Sequence, residues 1–177
     1  APVSADSLFE GCTSLEEVDL SGFDASAIDR ATALFRGCSS VRSLDLSGFT
    51  SCASWFGAFK GCTSLESVKL PPFSGGDSSV NFMFEGCSSL KSVDMSAINI
   101  TSNNLLDVFR GCTALEELRM FSFVGTRGPN GVDPFDISGV FVGCSSLKSL
   151  DLSSFDTRCA WKGEVDTAVR KGMFDGA

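Results

Sequence analysis

The chain has 177 residues, a net charge of −8, 43% hydrophobic and 20% charged residues, which describes one ordered domain. The negative field argues against nucleic acid and anionic membrane surfaces as partners. No histidine is present, so the usual general base, metal ligand and pH switch are missing; no tyrosine is present either, so 16 phenylalanines direct the aromatic content to a core.

Read from the amino terminus, the pattern Phe-x-Gly-Cys begins at Phe9, Phe35, Phe59, Phe84, Phe109 and Phe141, and the cysteines follow one another at spacings of 26, 24, 25, 25 and 32. A fixed period of this size predicts a solenoid, each unit burying its apolar face against the next. Six full coils are expected over residues 1–177, with a truncated seventh opening at Met173, as a single domain and a piece of a longer array. No window approaches the roughly 18 consecutive apolar residues of a membrane span, and no signal-peptide pattern is seen.

Downstream of each cysteine, Leu15, Val18 and Leu20 have equivalents in every coil, for example Leu90, Val93 and Met95. The last two of each set alternate with polar residues, the period of a half-buried strand. Identical strands joined in one direction stack in parallel. Each return path, such as residues 25–35 or 99–109, is expected to hold a short helix or 3-10 turn. The predicted fold class is therefore α/β: a solenoid with a parallel sheet on one face and short helical segments on the return. Two phenylalanine columns follow: Phe9, Phe35, Phe59, Phe84, Phe109, Phe141, and Phe23, Phe49, Phe73, Phe123, Phe155 with Ile98 in the fourth place.

Eight cysteines invite a metal or disulfide reading, but the six repeat cysteines lie a full coil apart. Metal ligands cluster within a few residues, and disulfides need converging Cβ vectors rather than parallel ones. A column of buried free thiols is expected, with no metal site and no cofactor. Cys52 and Cys159 fall outside the column and are expected not to pair.

On the outward strand face the central residues are Asp19, Asp45, Lys69, Asp94, Arg119 and Asp151, which alternate in sign from the second coil onward. Cross-strand pairs of opposite charge largely satisfy one another. Flanking rows are mostly serine; Phe121 is the exception, an aromatic placed outward beside Arg119 in this register. It is either a contact residue or is covered by the neighbouring insertion. The fifth and sixth coils are stretched, by residues 125–134 and 158–164, which contain Arg127, Trp161 and Lys162. Loops on a rigid scaffold often carry binding, and aromatic and arginine anchors dominate it. Arg119, Phe121, Arg127, Trp161 and Lys162 are the candidate binding residues. The alternative is that the insertions are merely tolerated.

The segments LFEGCTSLEEVDLSGFDAS (8–26), MFEGCSSLKSVDMS (83–96) and VFVGCSSLKSLDLSSFDT (140–157) resemble the repeat of BspA-like, Treponema-type leucine-rich-repeat bacterial surface proteins. The resemblance spans nearly the whole chain. It implies a leucine-rich solenoid on a secreted or cell-surface protein, usually adhesive or of unknown function, and identifies no ligand; the serine-lined surface and the lack of histidine point to a non-catalytic module with a protein or glycan partner. A structural spacer, or an accessory module of a larger enzyme, is the other function class. No phosphate loop, nucleophile elbow or clustered ligand set is found to support catalysis in the chain itself.

Overall fold

The computed structural model describes residues 3–76, 79–102, 105–125 and 139–156. Eleven short strands appear among them: β1 Val3–Ser4, β2 Ile28–Arg30, β3 Ser43–Asp45, β4 Ser67–Lys69, β5 Ser74–Gly75 and β6 Ser92–Asp94, followed by β7 Asn99–Ser102, β8 Glu117–Arg119, β9 Ser122–Gly125, β10 Ser149–Leu150 and β11 Phe155–Asp156. Every strand pairing among the described residues is parallel. From the second coil on, strands that follow the cysteines pair with counterparts one coil away in two ladders, β3 with β4, and β6 with β8 and β8 with β10. A second sheet, in the order β5-β7-β9-β11, is built from the segments that follow. The stack is a parallel β-solenoid.

The expected helical or 3-10 return segments are not found; among the described residues those segments hold short strands, such as β2 and β7, followed by successions of turns. The destination of the main-chain N–H groups explains why. In the first coil Ala5, Ser7, Phe9 and Gly11 donate across to the carbonyls of Arg30, Thr32, Leu34 and Arg36 in the second. The residues between them, Leu8, Glu10 and Cys12, donate back within the coil to Ala5, Ser7 and Phe9. A helix would keep its donors within its own segment. Here every second donor is spent on the neighbouring coil, so the backbone is fully used without a helix.

This alternation needs left-handed backbone at two places per coil. One is the repeat glycine, Gly37 to Gly143, with φ between +75° and +77°. The other lies two residues before the repeat phenylalanine: Ser7, Ala33, Gly57, Phe82, Asp107 and Gly139, with φ from +49° to +72°. Glycine occupies only two of these six positions. At the others an L-residue carries a penalty of roughly 1–2 kcal/mol.

The core lies between the strand face and the second sheet. Phe9, Phe35, Phe59, Phe84, Phe109 and Phe141 form one continuous stack, with neighbouring ring centroids 4.8–6.3 Å apart and planes within 15°. Phe35 through Phe141 are fully buried. Five of the six repeat cysteines form the predicted buried thiol column, the expected burial of Cys12 being corrected because it is exposed in the first coil, and these five gain a partner that spacing alone does not show. Cys38, Cys62, Cys87, Cys112 and Cys144 each donate Sγ–H to the carbonyl of the repeat phenylalanine one coil earlier, at 3.0–3.2 Å. All seven cysteines among the described residues are free thiols; Cys12 is exposed and Cys52 buried, while Cys159 lies outside the described residues. Burial pushes the Cys62 thiol up to about 12 and those of Cys52 and Cys144 up to about 11. Cys87 and Cys112 are raised well above the ordinary thiol value for the same reason.

Candidate functional site

The strand face is assembled by one local device repeated up the stack. Asp19, Asp45, Asp94 and Asp151 each accept through Oδ1 from the main-chain N–H of the serine two residues on, at 2.8–3.0 Å. The Ser47 and Ser96 hydroxyls add a second bond to the same oxygen, at 2.6 Å. This closes an Asx turn and ends the strand. It also leaves the other carboxylate oxygen free to face a neighbouring coil. Lys69 Nζ lies 3.1 Å from Asp45 Oδ2, and Arg119 Nη1 lies 3.7 Å from Asp94 Oδ2. The Ser47 hydroxyl, the Ser47 N–H and Lys69 together hold the Asp45 carboxyl down to about 2.

A second charge row runs beside the first and was not singled out from the sequence. Arg42 and Lys91 flank Glu66, at 3.8 and 2.9 Å, and Lys148 pairs with Glu116 at 2.6 Å. The signal was available. The residue after Leu15 and its equivalents (Val41 in the second coil) reads Glu16, Arg42, Glu66, Lys91, Glu116, Lys148, strictly alternating in sign. Aligning that column would have revealed the row. These pairs are solvent-exposed, so each contributes little to stability, and they set a patterned, matched surface instead.

Of the five residues singled out from the sequence, Arg119 is on the strand face, with its side chain 78% exposed. Arg127, Trp161 and Lys162 lie outside the described residues. The outward placement of Phe121 is corrected: its exposure is 0% and it belongs to the core. The cause is a change of register between coils four and five. Asp94 pairs with Arg119, and Asn99 pairs with Ser122, so coil five crosses between the sheets in three residues where coil four takes five. The shortcut puts Phe121 at the level of Ile98, and Phe123 at that of Ile100. Phe123 was expected opposite Ile98, and that alignment is corrected as well. Phe155 does pair with Phe123.

A second surface feature lies in the turn segments of coils two to four. The left-handed column reads Ala33, Gly57, Phe82 in successive coils. Two small residues below one large ring leave a step, and a cleft of about 250 Å³ opens there, lined by Thr32, Ala33, Arg36, Phe56, Gly57, Lys60 and Phe82. A Cβ built on Gly57 would meet no atom within 4 Å, so open space lies above this glycine. Phe56, 36% exposed, meets Phe82 edge to face, with centroids 5.4 Å apart and an interplanar angle of 72°. Lys60 Nζ stands 5.2 Å from the centroid of the Phe82 ring and 2.7 Å from Glu85 Oε2. Arg36 Nε is 3.8 Å from Glu10 Oε1. The Phe82 backbone, at φ +59°, bears strain that glycine would not.

Among the described residues no three histidine, cysteine or acidic side chains gather as a metal site would require. No helix among them is long and apolar enough to cross a membrane. A family model described as BspA type leucine rich repeat region matches residues 55–155 in six copies. Among curated proteins and among solved structures, no match to the chain is found. With more than half of its length matched, and with the repeat phenylalanines, glycines and cysteines each stacked in one column, the chain belongs to the BspA-type leucine-rich-repeat family, typically of bacterial surface proteins.

Proposed function

We propose that this chain is a non-catalytic binding module of a bacterial cell-surface or secreted protein, engaging a protein partner through its strand face. The observation that supports the reading most is the construction of that face. Asp45, Lys69, Asp94 and Arg119 stand out exposed from β3, β4, β6 and β8, one per coil, between rows that are mostly serine. Short paired strands and Asx turns hold them rigidly, so little side-chain and loop ordering remains for binding to oppose. A flat surface of alternating charge suits another protein surface of complementary pattern, which gains specificity and encounter rate from it. Arg127, Trp161 and Lys162 belong to the same proposal as further contact residues, on the composition of their segments. The absence of histidine supports a non-catalytic role.

The test is capture of host or bacterial surface proteins by the purified chain, compared with a Lys69→Glu/Arg119→Glu variant and with Trp161→Ala. Reversing two charges turns the central row uniformly acidic, and binding is expected to fall at least tenfold with the fold retained. Binding unchanged in both variants would sink the strand-face reading.

A further inference from the structure

We infer that the cleft between Phe56 and Phe82 is a binding site for a single neutral sugar ring, separate from the strand face. The argument starts from the cost of the arrangement. Position 82 requires left-handed backbone, and two coils fill the equivalent position with glycine, at Gly57 and Gly139. A phenylalanine there opposes the backbone preference, and its ring is only partly buried, so core packing does not account for it. What the ring does is complete a wall. With Phe56 it makes an edge-to-face pair that opens over Ala33 and Gly57, where side-chain volume is missing.

The size and the charge of the cleft point to its occupant. At about 250 Å³ it falls below the usual range for a drug-sized ligand and suits one compact ring. Phe56, 36% exposed, offers aromatic surface for the apolar C–H face of a pyranose, while Lys60 stands over the Phe82 ring. The rim is polar, with Arg36, Lys60 and Thr32. Both cations already stand beside carboxylates, Arg36 beside Glu10 and Lys60 beside Glu85. Local charge therefore balances, which disfavours an anion and leaves fixed donors and acceptors for hydroxyl groups. Charged groups make the stronger hydrogen bonds to neutral partners. A peptide side chain would use the aromatic wall but leave this rim unemployed.

The substitution Phe82→Gly separates binding from folding, because it installs the residue that coils three and six carry at this position. The probes are the methyl glycosides of glucose, galactose, mannose and N-acetylglucosamine at millimolar concentration, observed by saturation-transfer NMR. At least one is expected to show transfer concentrated on the ring protons of one face. That transfer should be lost in Phe82→Gly, whose melting temperature stays at or above the parent value. Arg36→Gln should weaken it at least threefold, while Lys69→Glu/Arg119→Glu leaves it unchanged. Absence of transfer to all four glycosides, or equal transfer in Phe82→Gly, overturns the inference. So does loss of protein capture in Phe82→Gly without any glycoside signal, which would assign the cleft to a peptide.

Discussion

The thiol of Cys87 and the main-chain carbonyl of Phe59 lie 3.1 Å apart across one coil boundary, with Sγ–H donating. The same oxygen accepts the N–H of Cys62 at 3.0 Å, so it serves a turn within its own coil and a tie to the next. Cysteine fits this place because a small apolar side chain is needed in a closed slot, and a weak donor finds an acceptor there. The link recurs at Cys38, Cys62, Cys112 and Cys144.

Cys87→Ala should cost about 1–2 kcal/mol, from lost packing and one lost hydrogen bond. Phe59 O remains satisfied by Cys62, which limits the loss. If the donor matters, Cys87→Ser recovers part of the deficit in a urea titration. A serine variant less stable than the alanine variant would show that the column is valued for volume alone.

Thiol accessibility should divide the column sharply. Cys12 is exposed, whereas Cys38, Cys62, Cys87, Cys112 and Cys144 are buried, and burial pushes each of the five up. Alkylation under native conditions at pH 8, followed by peptide mass mapping, should modify Cys12 well before these five, which should react only after unfolding. Rapid native labelling of Cys87 would contradict the buried column.

Stability against pH should be a plateau with two falling edges. The carboxyls of Asp45, Asp94, Asp151, Glu66 and Glu116 are held below their ordinary values, chiefly by bonds from Ser47, Ser96, Ser153, Lys91 and Lys148. Depressed folded values mean stability present above about pH 4 and lost as pH falls towards the Asp45 value of about 2. The thiols are raised, so their contribution is complete below about pH 8 and lost as pH rises towards the Cys62 value of about 12. With no histidine, nothing in the side chains should bend the plateau near pH 6.5. A melting-temperature series checks both edges, and a midpoint transition near pH 6.5 would refute the assignment.

Trp55 is fully buried among Phe49, Phe59 and Phe73, and among the described residues its Nε1–H has no hydrogen-bond partner. An unsatisfied buried donor costs roughly 1–3 kcal/mol. Trp55→Phe removes that donor along with some packing, so its net effect should stay within about 1 kcal/mol. Trp55→Ala should cost about 3–5 kcal/mol. Equal destabilisation by the two substitutions would show that the indole nitrogen is satisfied after all.

Phe121→Ala should likewise cost about 3–5 kcal/mol, since the ring is wholly buried at the level of Ile98. A surface contact residue in that place would lose less than about 0.5 kcal/mol. Chemical denaturation distinguishes the two outcomes directly.

Much of the architecture was legible because it is periodic. Columns of like residues one coil apart must stack once parallel strands form, so the phenylalanine stack, the free thiol column and the Asp45–Lys69 and Asp94–Arg119 pairs follow from counting. The Arg42–Glu66–Lys91 row was equally countable. The backbone of the return segments was not. Local composition suggested helix, but whether an N–H such as that of Phe9 bonds within its coil or to Leu34 O is a non-local choice.

The sequence alone determined the repeat, its family and the residue types in each column, because period and side-chain character are written in the order of residues. Only the tertiary structure decided which way Phe121 points and where a cleft opens. The first depends on a two-residue shortcut visible only when Arg119 and Ser122 are set against Asp94 and Asn99. The second depends on Ala33, Gly57 and Phe82 standing in one left-handed column, where two missing side chains and one strained ring meet across three coils. Both are relations between coils, fixed by hydrogen-bond register rather than by any one repeat.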